Sequence, residues 1–167
     1  FFILFTLLLS ASYAQCPPNF LNSNQQFNFS QNTDVDLADL DGDGDLDAFI
    51  SGEQDNSNNY DFVFLNDGNG YFQTNNQSLD QSRIYRSVLG DIDGDGDNDA
   101  IVLRENNSNL CGNFPFCIKV WKNFGDGTFG FNGQVAGLDE VGGITGVNIS
   151  DLLLIDLDND GDLDLTL

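Results

Sequence analysis

The chain has no histidine, and only 5 of its 167 residues are lysine or arginine. Without histidine there can be no Ser-His-Asp or Cys-His nucleophile system in this stretch. Five bases against 27 acids leave no basic patch, which argues against nucleic acid as a partner. No segment keeps a helical period, so helices are not expected to carry the fold. The opening apolar run, Phe1 to Leu9, falls well short of the roughly 20 residues a bilayer span requires. Cysteine is scarce and odd in number: Cys16, Cys111 and Cys117.

What the chain has in abundance is aspartate, and it is phased. Three stretches share one pattern: 39–47 (DLDGDGDLD), 91–99 (DIDGDGDND) and 156–164 (DLDNDGDLD). Loop positions 1, 3, 5, 7 and 9 are Asp39, Asp41, Asp43, Asp45 and Asp47 in the first. They are Asp91, Asp93, Asp95, Asp97 and Asp99 in the second, and Asp156, Asp158, Asp160, Asp162 and Asp164 in the third. Position 6 is Gly44, Gly96 and Gly161. These loops hold 15 of the 27 acids, and the remaining 12 face 5 bases, so most of the net charge of −22 is local to them.

Two carboxylates about 4 Å apart repel by roughly 1 kcal/mol in water and about 4 kcal/mol at the effective dielectric of a protein surface. A loop crowding several such pairs is expected to close around a hard cation. Oxygen-only donors favour Ca²⁺ or Mg²⁺ over zinc or copper, and the crowding favours the larger Ca²⁺. Side chains at positions 1, 3, 5 and 9 converge if the backbone turns sharply, as the position-6 glycine permits. Position 7 then offers its carbonyl, with the Asp45, Asp97 and Asp162 side chains turned outward. One Asp-Gly run could be a solvated acidic turn; three in the same phase point to three calcium sites.

The flanks exclude the helical calcium loops. An EF-hand needs a bidentate Glu at position 12 and a helix on each side. Position 12 here is Ile50, Val102 and Leu167, and Ala48-Phe49-Ile50 and Ala100-Ile101-Val102-Leu103 read as strands. The glycine-rich nonapeptide of calcium β-solenoids is also absent. The first two loops are each followed by a further strand, Asp61 to Leu65 or Ile118 to Trp121. A turn comes next (Asn66-Asp67-Gly68-Asn69-Gly70 or Asn123-Phe124-Gly125-Asp126-Gly127) and then Tyr71-Phe72 or Thr128 to Phe131. Loop starts at 39, 91 and 156 are 52 and 65 residues apart. Four short strands per repeat suggest propeller blades, whose apolar runs are covered on both faces.

The expected fold is therefore all-β: an incomplete β-propeller of two four-stranded blades and the start of a third. The acidic loops lie between first and second strands. Residues 31–83 form blade 1, 84–146 blade 2 and 147–167 the partial third. A propeller needs roughly 4–8 blades, so the chain reads as the N-terminal piece of a longer protein. Residues 15–30 are read as a leader, with Phe27 to Ser30 as a ring-closing strand.

Phe1 to Ala14 matches a signal peptide: an apolar run, then Ser12 and Ala14 as the small residues of a cleavage site. No initiator Met or basic segment precedes it, so the recorded start is expected to be truncated. Export would place the chain outside the cell or on its surface, and would permit a local disulfide between Cys111 and Cys117, with Cys16 left over.

Loop and turn recurring together resemble FG-GAP/VCBS repeats, the blades also found in integrin α-subunit propellers. The family's Asp-x-Asp-x-Asp-Gly-x-x-Asp is matched at 39–47, 91–99 and 156–164, and its later turn Asn-x-Gly-x-Gly-x-Phe at 66–72 and 123–129. The resemblance covers about Asp34 to Leu167. It implies Ca²⁺ ligands from the side chains at positions 1, 3, 5 and 9 and the position-7 carbonyls of Asp45, Asp97 and Asp162. It also implies a secreted or cell-surface adhesion or ligand-binding module, not itself an enzyme, whose partner is an extracellular protein or carbohydrate. The competing expectations are the non-catalytic propeller of a larger secreted hydrolase and a structural surface-layer element. Phe62, Phe64, Tyr71, Phe72, Trp121 and Phe129 are read as core before they are read as a sugar site.

Overall fold

The structure is a computed structural model, and the residues it describes are 24–27, 29–54, 61–77, 79, 84–106, 111, 116–137 and 151–166. The signal-peptide reading of Phe1 to Ala14, Cys16, the residues between Cys111 and Phe116, and Leu167 lie outside the described residues. Among the described residues there is no helix, and so none long and apolar enough to cross a membrane.

The fold is all-β. Strands β1 (Phe29–Ala38), β2 (Asp47–Gln54), β3 (Asp61–Asn66) and β4 (Phe72–Thr74) form one four-stranded antiparallel sheet in chain order. Strands β5 (Ile84–Gly90), β6 (Asp99–Glu105), β7 (Phe116–Asn123) and β8 (Phe129–Gly137) form a second sheet of the same order. Strands β9 (Leu153–Ile155) and β10 (Asp164–Thr166) pair as a hairpin. This is the architecture of incomplete propeller blades. β1 is longer than the sequence reading had it: Phe29 and Ser30 open it and Phe29 pairs with Gln54, so these two residues belong to the first sheet.

The apolar runs exist because each inner strand is covered twice. In β2, Phe49 faces the second sheet while Ala48 and Ile50 face the other way. In β6, Ala100 and Val102 face the first sheet while Ile101 and Leu103 face the hairpin. Between the sheets, Phe49, Val63, Val102, Trp121 and Phe129 pack with Leu40 and Ile84. The Phe49 and Phe129 rings meet edge-on at 5.6 Å. Burying each such side chain contributes about 1.5–3 kcal/mol. On the far side of the first sheet, Phe62 and Phe64 are covered by Phe29 and by Phe27, whose ring lies 5.0 Å from that of Phe64.

Polar contacts fix how the two sheets meet. The Ser87 amide and hydroxyl on β5 donate to Asp34 and Asp36 on β1. After β4, Asn75 donates to the Gly127 carbonyl, and Gln77 both donates to and accepts from the Phe129 backbone. Cys111 and Cys117 are joined by a disulfide across 5.9 Å between Cα atoms, with Cys117 fully buried.

Candidate functional site

The acidic loops connect β1 to β2, β5 to β6 and β9 to β10, the first and second strands of each unit. Their shape is held by side-chain acceptors on backbone amides. Asp39 accepts from the Gly42 amide at 2.8 Å and the Gly44 amide at 3.0 Å. Asp91 does the same with Gly94 (2.8 Å) and Gly96 (3.0 Å), and Asp156 with Asp160 (3.2 Å) and Gly161 (3.1 Å). The position-5 carboxylates of Asp43, Asp95 and Asp160 each take the amide two residues on.

This winding needs positive φ twice per loop. Position 6 has it, at +93° in Gly44, +97° in Gly96 and +99° in Gly161. Position 4 has it too: Gly42 and Gly94 at +78°, and Asn159 at +60° in the third loop. Asparagine is among the non-glycine residues that tolerate this region. The sequence reading singled out only position 6. Gly, Gly and Asn at position 4 were the available signal.

Position 9 does more than point at a loop centre. Asp47 is completely buried, and its two oxygens accept from the Leu40 amide (2.8 Å) and the Asn66 amide (2.7 Å). Asp99 repeats this with Ile92 (3.2 Å) and Asn123 (2.8 Å), and Asp164 accepts from Leu157 (3.0 Å). Each of the first two thus ties its loop to the end of the third strand. At position 7, Asp45 and Asp97 lie over the following turns. A Cβ on Gly68 would stand 2.5 Å from an Asp45 oxygen, and one on Gly125 2.6 Å from an Asp97 oxygen.

In each loop three carboxylates bring one oxygen apiece within 4.8 Å of one another. They are Asp39, Asp41 and Asp43, then Asp91, Asp93 and Asp99, then Asp156, Asp158 and Asp164. Positions 1 and 3 are common to all three. Of the four side chains expected to converge, Asp47, Asp95 and Asp160 stand outside these groups. Asp47 is held by its two amides, and Asp95 is bonded to Lys122. A trio of hard oxygens at this spacing is a donor set suited to a hard divalent cation.

The electrostatics differ between loops. Asp41 is raised above the usual carboxylate range, first by burial and then by the charges of Asp47 and Asp43. Asp99 is raised chiefly by burial, with Asp93 and Asp95 adding to it and the amides of Asn123 and Ile92 opposing it. Asp95 is lowered, first by its hydrogen bond from Lys122 and then by the Asp97 amide.

The first loop is also clasped by the second sheet. The Asn98 side chain donates to the Asp39 carbonyl at 3.2 Å. The Leu40 carbonyl receives the Asn123 side chain at 2.9 Å and the Gly127 amide at 2.8 Å. The turn asparagines have a role within each sheet as well. Asn66 reaches the Leu46 carbonyl and Asn123 the Asn98 carbonyl, both at loop position 8. Sequence reasoning took the asparagines only as turn formers. Of the aromatics weighed as a sugar site, Phe62, Phe64, Trp121 and Phe129 are buried and Phe72 half-buried; Tyr71 is exposed.

No curated protein matches the chain. The FG-GAP-like repeat family matches it twice, over residues 39–102 and 91–166, each match beginning at the first Asp of an acidic loop. Those matches span more than half of the chain. The chain belongs to the FG-GAP-like repeat family, whose repeats build β-propeller-like ligand-binding modules.

Proposed function

We propose that the three loops each bind Ca²⁺ and that the ion is structural, stapling the first strand of a blade to the second. The observation that carries this is the recurrence, in all three loops, of three carboxylate oxygens within 4.8 Å of one another. Like charges held that close are costly unless a cation joins them. The side chains gathered there would supply the first ligands: Asp39, Asp41 and Asp43; Asp91, Asp93 and Asp99; Asp156, Asp158 and Asp164. The carbonyls of Asp45, Asp97 and Asp162 are the further donors proposed.

The calcium-stapled blades act as a secreted or cell-surface ligand-binding and adhesion module with no catalytic role, and the partner is an extracellular protein or carbohydrate. The apolar Phe1 to Ala14 segment and the Cys111–Cys117 disulfide support export.

Thermal melting with calcium and with chelator tests the metal reading. A site at 100 times its dissociation constant adds about 2.7 kcal/mol. Chelation should therefore lower the midpoint by several degrees, and Asp41→Ala or Asp93→Ala should reproduce part of that loss. A midpoint indifferent to calcium would remove the proposal.

A further inference from the structure

The first two loops differ in one neighbour. Phe64 pairs with Ala48 in the first sheet and Trp121 with Ala100 in the second, so the next residues, Leu65 and Lys122, hold the same place in each blade. Leu65 lies under the Gly127 turn: a Cβ on that glycine would stand 2.7 Å from Leu65 Cδ2 and 3.6 Å from Asp41 Cβ. Lys122 instead puts its ammonium into its own loop. Nζ donates to Asp95 Oδ2 at 2.8 Å and also to Asp93 Oδ2. These are loop positions 3 and 5.

We propose that Lys122 is a built-in counter-cation of the second loop, which competes with the metal for Asp93 and Asp95 and so grades the two loops into a tight first site and a weaker second one. The inference rests on the calcium reading above. A divalent ion entering the second loop must displace the ammonium from two carboxylates, and a monovalent charge remains close by. In the first loop a leucine stands at that place, and no cation among the described residues has to leave. The blades then load in sequence as calcium rises, the first before the second. With calcium low, the second loop keeps part of its charge neutralised by Lys122, whereas no cation among the described residues does so for the first.

The test is a calcium titration of the whole chain followed by backbone amide resonances. Gly44, Gly96 and Gly161 report one loop each, because their amides donate to Asp39, Asp91 and Asp156. In the parent protein the Gly96 midpoint should lie at higher calcium than that of Gly44. Lys122→Leu installs the first blade's residue and should lower the Gly96 midpoint on the order of tenfold, as expected for losing two exposed ion pairs. The Gly44 midpoint should stay put. Lys122→Gln keeps the stem without the charge and should act in the same direction. Leu65→Lys should raise the Gly44 midpoint. Equal Gly44 and Gly96 midpoints in the parent, unmoved by either Lys122 variant, would overturn the proposal and leave the calcium reading standing. No shift at any of the three glycines up to millimolar calcium would sink both.

Discussion

The first sheet meets the second across a closed junction, whereas the β9–β10 hairpin has one face packed on the second sheet and the other exposed. At the first junction Phe49, Val63 and Trp121 are buried, and the carbonyls of Asp39 and Leu40 are taken by Asn98, Asn123 and Gly127. On the hairpin's inner face Leu152 is buried with Ile101, Leu103, Ile118 and Val120, and Leu154 and Leu165 pack against them; Leu153, Ile155 and Leu157 are exposed. The described part of the third unit is its hairpin alone, without the turn that would correspond to Asn123 to Gly127. The difference teaches that an acidic loop of this kind belongs to two sheets. Its own sheet supplies the carboxylates and the position-9 tie, and the following sheet supplies the donors that cap its first two carbonyls.

That contrast can be broken in the core. Phe49→Ala empties space between the sheets and should cost about 3–5 kcal/mol in chemical denaturation. Leu153→Ala, on the exposed side of the hairpin, should stay within about 0.5 kcal/mol. Similar losses for the two would mean that the outer face of the hairpin is covered as the space between the sheets is.

It can be sharpened at position 9. Asp47→Ala leaves the Leu40 and Asn66 amides without their acceptor, at about 1–3 kcal/mol for each group that stays dry. Asp164→Ala frees one exposed amide and should cost much less. Both are measured with chelator present, so that ligation does not contribute. Next in size, Asn123→Ala should cost about 1 kcal/mol more than Asn66→Ala, because it also releases the Leu40 carbonyl of the neighbouring sheet. A double-mutant cycle with Gly127 shifts would show the coupling directly.

The smallest effect is a pH slope at the closed junction. Asp36 on β1 is raised above its ordinary value of 3.8, first by burial and, against the hydrogen bond from Ser87, by the charges of Asp34 and Asp151. The folded protein therefore holds this proton more tightly than the unfolded chain. Stability from this group is complete below pH 3.8 and is lost as pH rises through the raised value. Asp36→Asn, whose amide oxygen can still accept from Ser87, should become the more stable protein at neutral pH and converge with the parent in acid. Parallel pH–stability curves would contradict the raised value.

Much of this was legible along the chain. The phase of the aspartates and the glycine at position 6 are local features, visible in runs of ten residues, and the four-strand order follows from such runs and turns taken in succession. Position 9 was read as a ligand because spacing is all a sequence shows. Its burial under Asn66 or Asn123 depends on a strand end 19 or 24 residues away. Lys122 could not be placed at Asp93 and Asp95 either, since that contact spans 29 and 27 residues and needs the β6–β7 register. In β1, Phe29 and Ser30 are followed by the polar Gln31, Asn32 and Thr33, a weak local strand signal that pairing with β2 outweighs.

By itself, then, the sequence determined the winding of the loops and the kind of atom they present. Both follow from backbone freedom at glycine and from carboxylates two residues apart, interactions that close within a few bonds. Tertiary structure alone decided which carboxylates meet, which one is buried, and which loop has a lysine over it. Those outcomes depend on strands brought together from distant parts of the chain, and packing selects among several arrangements that the local pattern allows equally.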